Sequence, residues 1–254
     1  KKKNLIFLNS PVKSVKPADR NDSKPKVELS DGSTKEYDHI ISTMPITKLV
    51  EQMNAGKDII HHSKSLKFRN TILVYLNVEG KNLFPDQWIY IHNEKLKTGR
   101  ITNFNNWLSS DKNQLNTILC LEYWCYNEDN IWKSYDQELI DIAKEDIYKT
   151  NLIKMNINVL EGKVIKVPKC YPVYKTGYKT HLKPIESFLS KQIGLSVIGR
   201  YGAFKYNNQD HSILMGILAA ENIAENANHN LWELNTDYEY QESSKISATG
   251  LTRE

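Results

Sequence analysis

Apolar positions along this chain fall into short runs, broken by polar stretches and by glycine and proline, and the spacing within each run predicts its element. Residues 4–8 read as a strand, followed after Ser10-Pro11 by another at 12–15. A third at 26–29 alternates, and Asp31-Gly32 after it is a hairpin turn signal. Residues 37–42 bring the chain back, with Ile40 and Ile41 adjacent as in a strand buried on both faces. Thr43-Met44-Pro45 ends that strand, because proline pushes its predecessor out of the helical region. Ile46, Leu49, Val50 and Met53 then recur at helical spacing.

The middle of the chain reads differently. Runs at 66–78, 88–92, 100–105 and 117–125 are extended and rich in Ile, Val and Tyr, which predicts an antiparallel or mixed sheet. Trp88, Trp107, Trp124 and Trp132 lie along it and are expected to fill its core. Ser134 with Gln137 makes a capping box for a helix whose apolar stripe is Leu139, Ile140, Ala143 and Ile147. A strand at 163–167 and a helix at 178–191 follow, with Pro184 either interrupting that helix or seated in its first turn. A short apolar strand at 195–198 runs into Gly199-Arg200-Tyr201-Gly202. Asp210 or Ser212 then caps a long helix with Ile213, Leu214, Ile217, Ala220 and Ala224 as its stripe. Beyond Asn226 the chain turns polar, and from Ser243 it reads as a loose tail.

Composition narrows the classes. Of 254 residues, 40% are hydrophobic and 25% charged, enough for a sizeable core. The net charge of +4 is owed largely to Lys1, Lys2 and Lys3, a solvated basic end and not a nucleic-acid surface. Cys120, Cys125 and Cys170 match neither a disulfide framework nor a metal motif, and on a strand Cys120 and Cys125 would face opposite sides. Reduced thiols, no run near the roughly 18 apolar residues of a membrane span, and no signal-peptide core lead to the expectation of a soluble cytoplasmic protein. His61, His62 and His92 have no partners at metal-ligand spacing, so no metal site is expected.

The stretch from Gly199 to Ser212 carries the candidate chemistry. Glycine lets a backbone approach a planar or anionic ligand, and the following helix offers unpaired N–H groups and partial positive charge. Gly216 inside that helix suggests a close ligand or a close helix crossing. A surface turn before an ordinary capped helix has the same pattern, and the residues alone leave both open.

Three segments resemble one superfamily, the FAD-dependent amine oxidases, protoporphyrinogen oxidases and UDP-galactopyranose mutases. Tyr171-Pro172-Val173-Tyr174 with Gly177-Tyr178 resembles the strand that enters the flavin domain. Gly199-Arg200 with Tyr206, Asn208 and Asp210 resembles the turn under the flavin, although Asn208 stands where the mutase branch carries an aspartate. Asp31-Gly32 with Tyr37-Asp38-His39-Ile40-Ile41-Ser42-Thr43-Met44-Pro45 resembles the strand returning from a flavin-contacting hairpin. Arg69 resembles a mutase arginine that meets an anionic substrate; an exposed arginine at a strand end has the same appearance.

The resemblance implies an α+β fold with a discontinuous, partial FAD-binding part at 1–50 and 193–227, a substrate domain at 51–192 and a tail at 228–254. It implies FAD as cofactor, contacted by Gly199, Arg200, Gly202, Tyr206, Asn208, Asp210 and Ser212, and a small-molecule substrate lined by Arg69, Tyr174 and Tyr206. No catalytic residue is assigned. The implied activity is hydride transfer to flavin, with a nucleotide-sugar mutase or a non-catalytic association module as alternatives. The family's opening Gly-x-Gly-x-x-Gly is not present, so an N-terminal unit is expected to be cut off or supplied by another chain. Without it the chain is expected to retain no FAD and to self-associate.

Overall fold

The computed structural model describes residues 5–107, 115–234, 244–247 and 250–253, the last two stretches by backbone alone. Lys1, Lys2, Lys3 and Asn4 lie outside the described residues. Helices combine with antiparallel and parallel sheets in an α+β fold, and the chain divides into two compact units, 1–67 with 171–254, and 68–170.

The first unit opens with an antiparallel sheet of β1 (Val12–Lys16), β2 (Lys26–Leu29) and β3 (Thr34–Glu36). Its β2–β3 turn is the Asp31-Gly32 signal: Gly32 adopts φ +86°, and the Asp31 carboxylate accepts the Ser33 N–H at 2.8 Å. Residues 5–8 form no strand, and Leu5, Ile6, Phe7 and Leu8 stay exposed, because an apolar run becomes a strand only where a partner ladder exists. Of the return strand expected at 37–42 only 40–42 forms a strand, and the hairpin partner lies earlier, in β3. β3 closes the hairpin, whereas β4 (Ile40–Ser42) pairs in parallel with β10 (Leu195–Val197), at Leu195↔Ile40, Ser196↔Ile41 and Val197↔Ser42. The two strands that the sequence separates by more than 150 residues are thus neighbours, as the resemblance implies.

Pro45 precedes α1 (Ile46–Gln52), whose Ile46, Leu49 and Val50 are fully buried. A second helix that the periodicity did not announce, α2 (Lys57–Ser65), packs against α5 (Tyr178–Leu189). Pro184 is the seventh residue of α5, beyond the first turn, and removes one interior helix hydrogen bond. A single turn, α6 (Gly199–Gly202), precedes the long α7 (Gln209–Ala224). The buried face of α7 is Met215 and Ala219, not the expected stripe: Ile213 is 63% and Ile217 50% exposed. A Cβ at Gly216 would meet nothing within 4 Å, so no close crossing among the described residues explains that glycine. Past Ser243, where a loose tail was expected, the backbone forms a hairpin of β11 (Ser244–Ser247) and β12 (Gly250–Arg253).

The second unit is built on one sheet ordered β6 (Trp88–Tyr90), β7 (Arg100–Asn103), β8 (Asn116–Cys125), β5 (Lys67–Glu79) and β9 (Val159–Val173). Strict alternation sends Ile72, Val74, Leu76 and Val78 of β5 and Leu119, Leu121 and Tyr123 of β8 to one buried face. Helix α4 (Asp136–Lys149) covers that face with Leu139, Ala143 and Ile147, all fully buried. Its capping box sits one residue later than expected. Glu138 accepts the Tyr135 N–H at 3.0 Å, while the Ser134 hydroxyl donates back to Asn130 of the short α3 (Asn130–Lys133). Cys120 and Cys125 point to opposite faces, and the three cysteines are free thiols. Of the four tryptophans only Trp132 packs against the buried core cluster, which is mainly aliphatic with Phe84 and Tyr123. Trp88 and Trp107 stack on each other at 5.2 Å and remain 44% and 51% exposed.

One buried carboxylate ties α4 to the sheet. Asp146 accepts the Lys97 and Thr98 N–H groups at 3.2 and 3.0 Å and the Tyr123 hydroxyl at 3.2 Å. Burial raises its pKa, and those three donors oppose the rise. Asp146→Ala should therefore lower stability by about 3 kcal/mol, since it orphans several buried donors at once. Urea denaturation checks this, with Asp146→Asn expected to lose less.

Candidate functional site

Geometry at the C-terminal ends of β4 and β10 follows from one tight approach. A Cβ on Gly202 would lie 3.1 Å from the Ser42 carbonyl oxygen and 3.3 Å from Val197, so glycine lets α6 seat directly on the strand pair. Gly199 enters the turn at φ +81°, the left-handed region where only glycine is unstrained. Ala203 and Lys205 close the turn by donating N–H groups to the Gly199 and Arg200 carbonyls at 2.9 and 3.0 Å. Buried Phe204 leaves it at φ +52°, which redirects the chain toward α7. The Lys205 ammonium reaches the Trp232 and Leu234 carbonyls at 2.5 and 2.6 Å and fixes the segment beyond α7.

A cavity of about 680 Å³ opens between this turn and the start of α7, lined by Thr43, Gly199, Arg200, Asn207, Asn208 and Ser212 among others. The N-cap of α7 is Asn208, in extended backbone, and not Asp210 or Ser212; the Ser212 N–H donates to the Asn208 carbonyl at 3.2 Å. Gln209, Asp210 and His211 thus stand in the first turn, where N–H groups lack acceptors within the helix and that of His211 turns to the Asp210 carboxylate. Buried Asn207 donates its amide to the Met215 sulfur at 3.1 Å and leaves its carbonyl oxygen unpaired among the described residues.

Among the described residues no carboxylate pairs with Arg200. Its guanidinium lies 4.6 Å from the Tyr171 ring centre and 4.5 Å from that of Tyr206, and these two rings stack at 5.6 Å. Two aromatic faces thus hold the cation, while its buried Nε has no hydrogen-bond partner among the described residues. The Tyr174 hydroxyl accepts the Tyr206 N–H at 2.8 Å and donates to the Phe204 carbonyl at 3.5 Å. Tyr174 in turn stacks on Tyr178 at 4.4 Å with nearly parallel planes.

Of the residues singled out from sequence, Gly199, Arg200, Asn208 and Ser212 line the cavity. Tyr206 backs Arg200, Gly202 packs on β4, and Tyr174 braces Tyr206. Asp210 is exposed and paired with His211, whose backbone N–H and ring hold the carboxylate below its usual range. Arg69 belongs to the second unit, where it donates to the Trp124 carbonyl at 3.2 Å beside the Tyr126 ring. Thr43 and Asn207 line the cavity without having been singled out. Thr43 sits in the Ile-Ser-Thr-Met-Pro run, which offered a signal; Asn207 offered none beyond adjacency to Asn208.

Comparison with solved structures finds this architecture elsewhere. A crystal structure of reduced UDP-galactopyranose mutase superimposes with a TM-score of 0.73 at 22% identity, over 85% of this chain and 46% of the other. A candidate protoporphyrinogen oxidase from Exiguobacterium sp. 255-15 gives 0.59 at 13%, over 76% and 42%. A protein from Pyrococcus furiosus gives 0.52 at 13%, over 88% and 48%. At these identities the likeness is one of fold, and the chain spans less than half the length of each of the three. Among the described residues no helix is long and apolar enough to cross a membrane. The family model for flavin-containing amine oxidoreductases matches residues 1–150, a span that holds β4 and most of the second unit's sheet and stops before the Gly199 turn. With that match over more than half of its length, the chain belongs to the flavin-containing amine oxidoreductase family.

Proposed function

We propose that this chain is part of an FAD-dependent oxidoreductase, and that the cavity at Gly199–Ser212 takes the ring end of the flavin. The observation that carries the reading is Arg200: a cation held by two tyrosine rings, its buried Nε without a partner among the described residues, lining a cavity that also takes in the start of α7. That donor set fits a planar group that gains negative charge. When bound, FAD supplies the redox chemistry, accepting a hydride equivalent from a small-molecule substrate. Gly199 lets the backbone come close, the Arg200 cation and the first-turn N–H groups of α7 offset the growing charge, and Asn208 and Ser212 offer polar contacts. Tyr206 walls the substrate side, and Tyr174 sets its position through the backbone N–H. The roles of 1–50 with 193–227 as flavin-binding part and of 51–192 as substrate domain belong to this reading.

A flavin-dependent isomerase acting on a nucleotide sugar is a second reading, favoured by the TM-score of 0.73 to the mutase. It needs paired arginines for a diphosphate. Arg69 is available for that role, whereas Arg100 is committed to Glu122 by two bonds of 2.8 and 2.9 Å. A mutase turns over with no net redox change, so sustained reduction of an external acceptor by substrate separates the two.

Most of the grip on FAD in such folds comes from N–H groups around the pyrophosphate, delivered by a glycine-rich turn that this chain does not contain. A fluorescence titration of the 254-residue chain with FAD should show no saturable binding at micromolar concentrations. Saturable binding there overturns the need for a further unit. Combined with a separately supplied unit that carries the Gly-x-Gly-x-x-Gly turn, the protein should show a flavin absorbance spectrum, and a colourless complex sinks the flavin reading. In that flavin-loaded protein Arg200→Met should weaken FAD binding about tenfold to a hundredfold, the value of one charge-assisted hydrogen bond, as read by the same titration. The exposed Ile213, Leu214 and Ile217 of α7 should make the isolated chain self-associate, which sedimentation across a concentration series measures.

A further inference from the structure

His62 on α2 and His181 on α5 are 119 residues apart in sequence, yet their Nδ1 atoms lie 3.2 Å from each other. The ring centres are 5.4 Å apart and the planes tilted by 55°. Both side chains are half-buried where the two helices pack, and Asp58, one turn earlier on α2, stands 3.8 Å from the other ring nitrogen of His62. A tetrahedral transition metal with metal–nitrogen bonds of about 2.0–2.1 Å holds two imidazole nitrogens about 3.3 Å apart. The observed separation is already that bite. We propose that His62 and His181 form a two-nitrogen site for a divalent transition metal of the zinc type, clamping α2 to α5.

Without metal, one Nδ1 carries the proton that bonds the other. On coordination that proton leaves Nδ1 for the remaining nitrogen of the same ring by exchange with water, so both imidazoles stay neutral and nothing is oxidised or reduced. A slight swing of the rings then turns both lone pairs onto the ion. The Asp58 carboxylate, at 3.8 Å beyond hydrogen-bond length, biases His62 by its charge toward the tautomer with its proton on Nε2, which frees Nδ1 as a ligand. Imidazole nitrogens suit zinc, nickel and copper and not magnesium or calcium. Among the described residues no group of three or more His, Cys, Asp or Glu converges on one point, so two positions of the shell fall to water. This site lies within the first unit, and neither histidine lines the cavity given to the flavin.

The test is calorimetric titration of the full chain with zinc chloride, beside thermal unfolding with and without zinc. One saturable equivalent and a raised unfolding midpoint are expected, with affinity at least about tenfold lower in His62→Ala and His181→Ala and unchanged in His61→Ala. No saturable binding, or full affinity in His181→Ala, overturns the proposal, the latter pointing to pairs such as His229 with Glu221 at 2.8 Å. Electron paramagnetic resonance of copper(II) on the unaltered chain reads the site without a variant. Coupling to two imidazole nitrogens supports it, and coupling to fewer refutes it.

Discussion

Much of the first unit is organised by how closely one turn can sit on two short strands. β4 and β10 share three register pairs, extended by the Ile40 N–H to the Gly194 carbonyl at 2.8 Å and the Ile198 N–H to the Ser42 carbonyl at 3.0 Å. So few bonds hold a parallel pair only if something covers their ends. Gly202 makes that possible, because any side chain there would press on the Ser42 carbonyl and Val197. With the turn seated, Thr43 from one end of the sequence and Gly199–Ser212 from the other become walls of a single cavity. The same seating fixes where Arg200 emerges and at what height α7 begins.

Arg200 is held in an unusual way for an arginine this close to a fold's interior. A carboxylate partner would neutralise it and consume its donors. Tyrosine faces attract the cation through their quadrupoles and leave its in-plane N–H groups free for something else. Tyr206 can serve because Tyr174 bonds its backbone, and Tyr174 is in turn fixed by stacking on Tyr178. The contacts from helix α5 to the guanidinium run through tyrosines.

The second unit solves a different problem. Its sheet has an aliphatic face sealed by α4 and an opposite face carrying Trp88, Tyr90, Arg100, Glu122 and Tyr75. Arg100 and Glu122 face each other across β7 and β8, and two hydrogen bonds satisfy a carboxylate that is otherwise buried. Such a pair adds little net stability but would be costly to break on one side. Burial pushes the Cys120 thiol up to about 12, with the Glu122 charge adding to the rise, and the Cys125 thiol to about 11. Neither is a thiolate near neutral pH, so both act as small apolar fillers and not as nucleophiles.

Local rules were legible wherever the cause is local. Asp31-Gly32 makes its turn because the Asp31 side chain and a left-handed glycine act within four residues, and β5, β8 and α4 bury the faces that their periodicity marks. The Gly-Arg turn before a long helix, and its likeness to a flavoprotein family, could be read from adjacent residues. Where the cause is a distant partner, sequence alone misled. Leu5–Leu8 reads as a strand but has no ladder, the apolar stripe of α7 faces outward while Met215 and Ala219 face in, and Trp88 and Trp107 stack on each other outside the core. His62 had no metal-spaced neighbour in sequence, yet α5 sets His181 against it. Spacing along the chain determines which face a residue takes and where a turn is free to form. Which face is covered, and which two distant side chains meet, is decided by tertiary packing, because burial and pairing are properties of the surface brought against a segment and not of the segment itself.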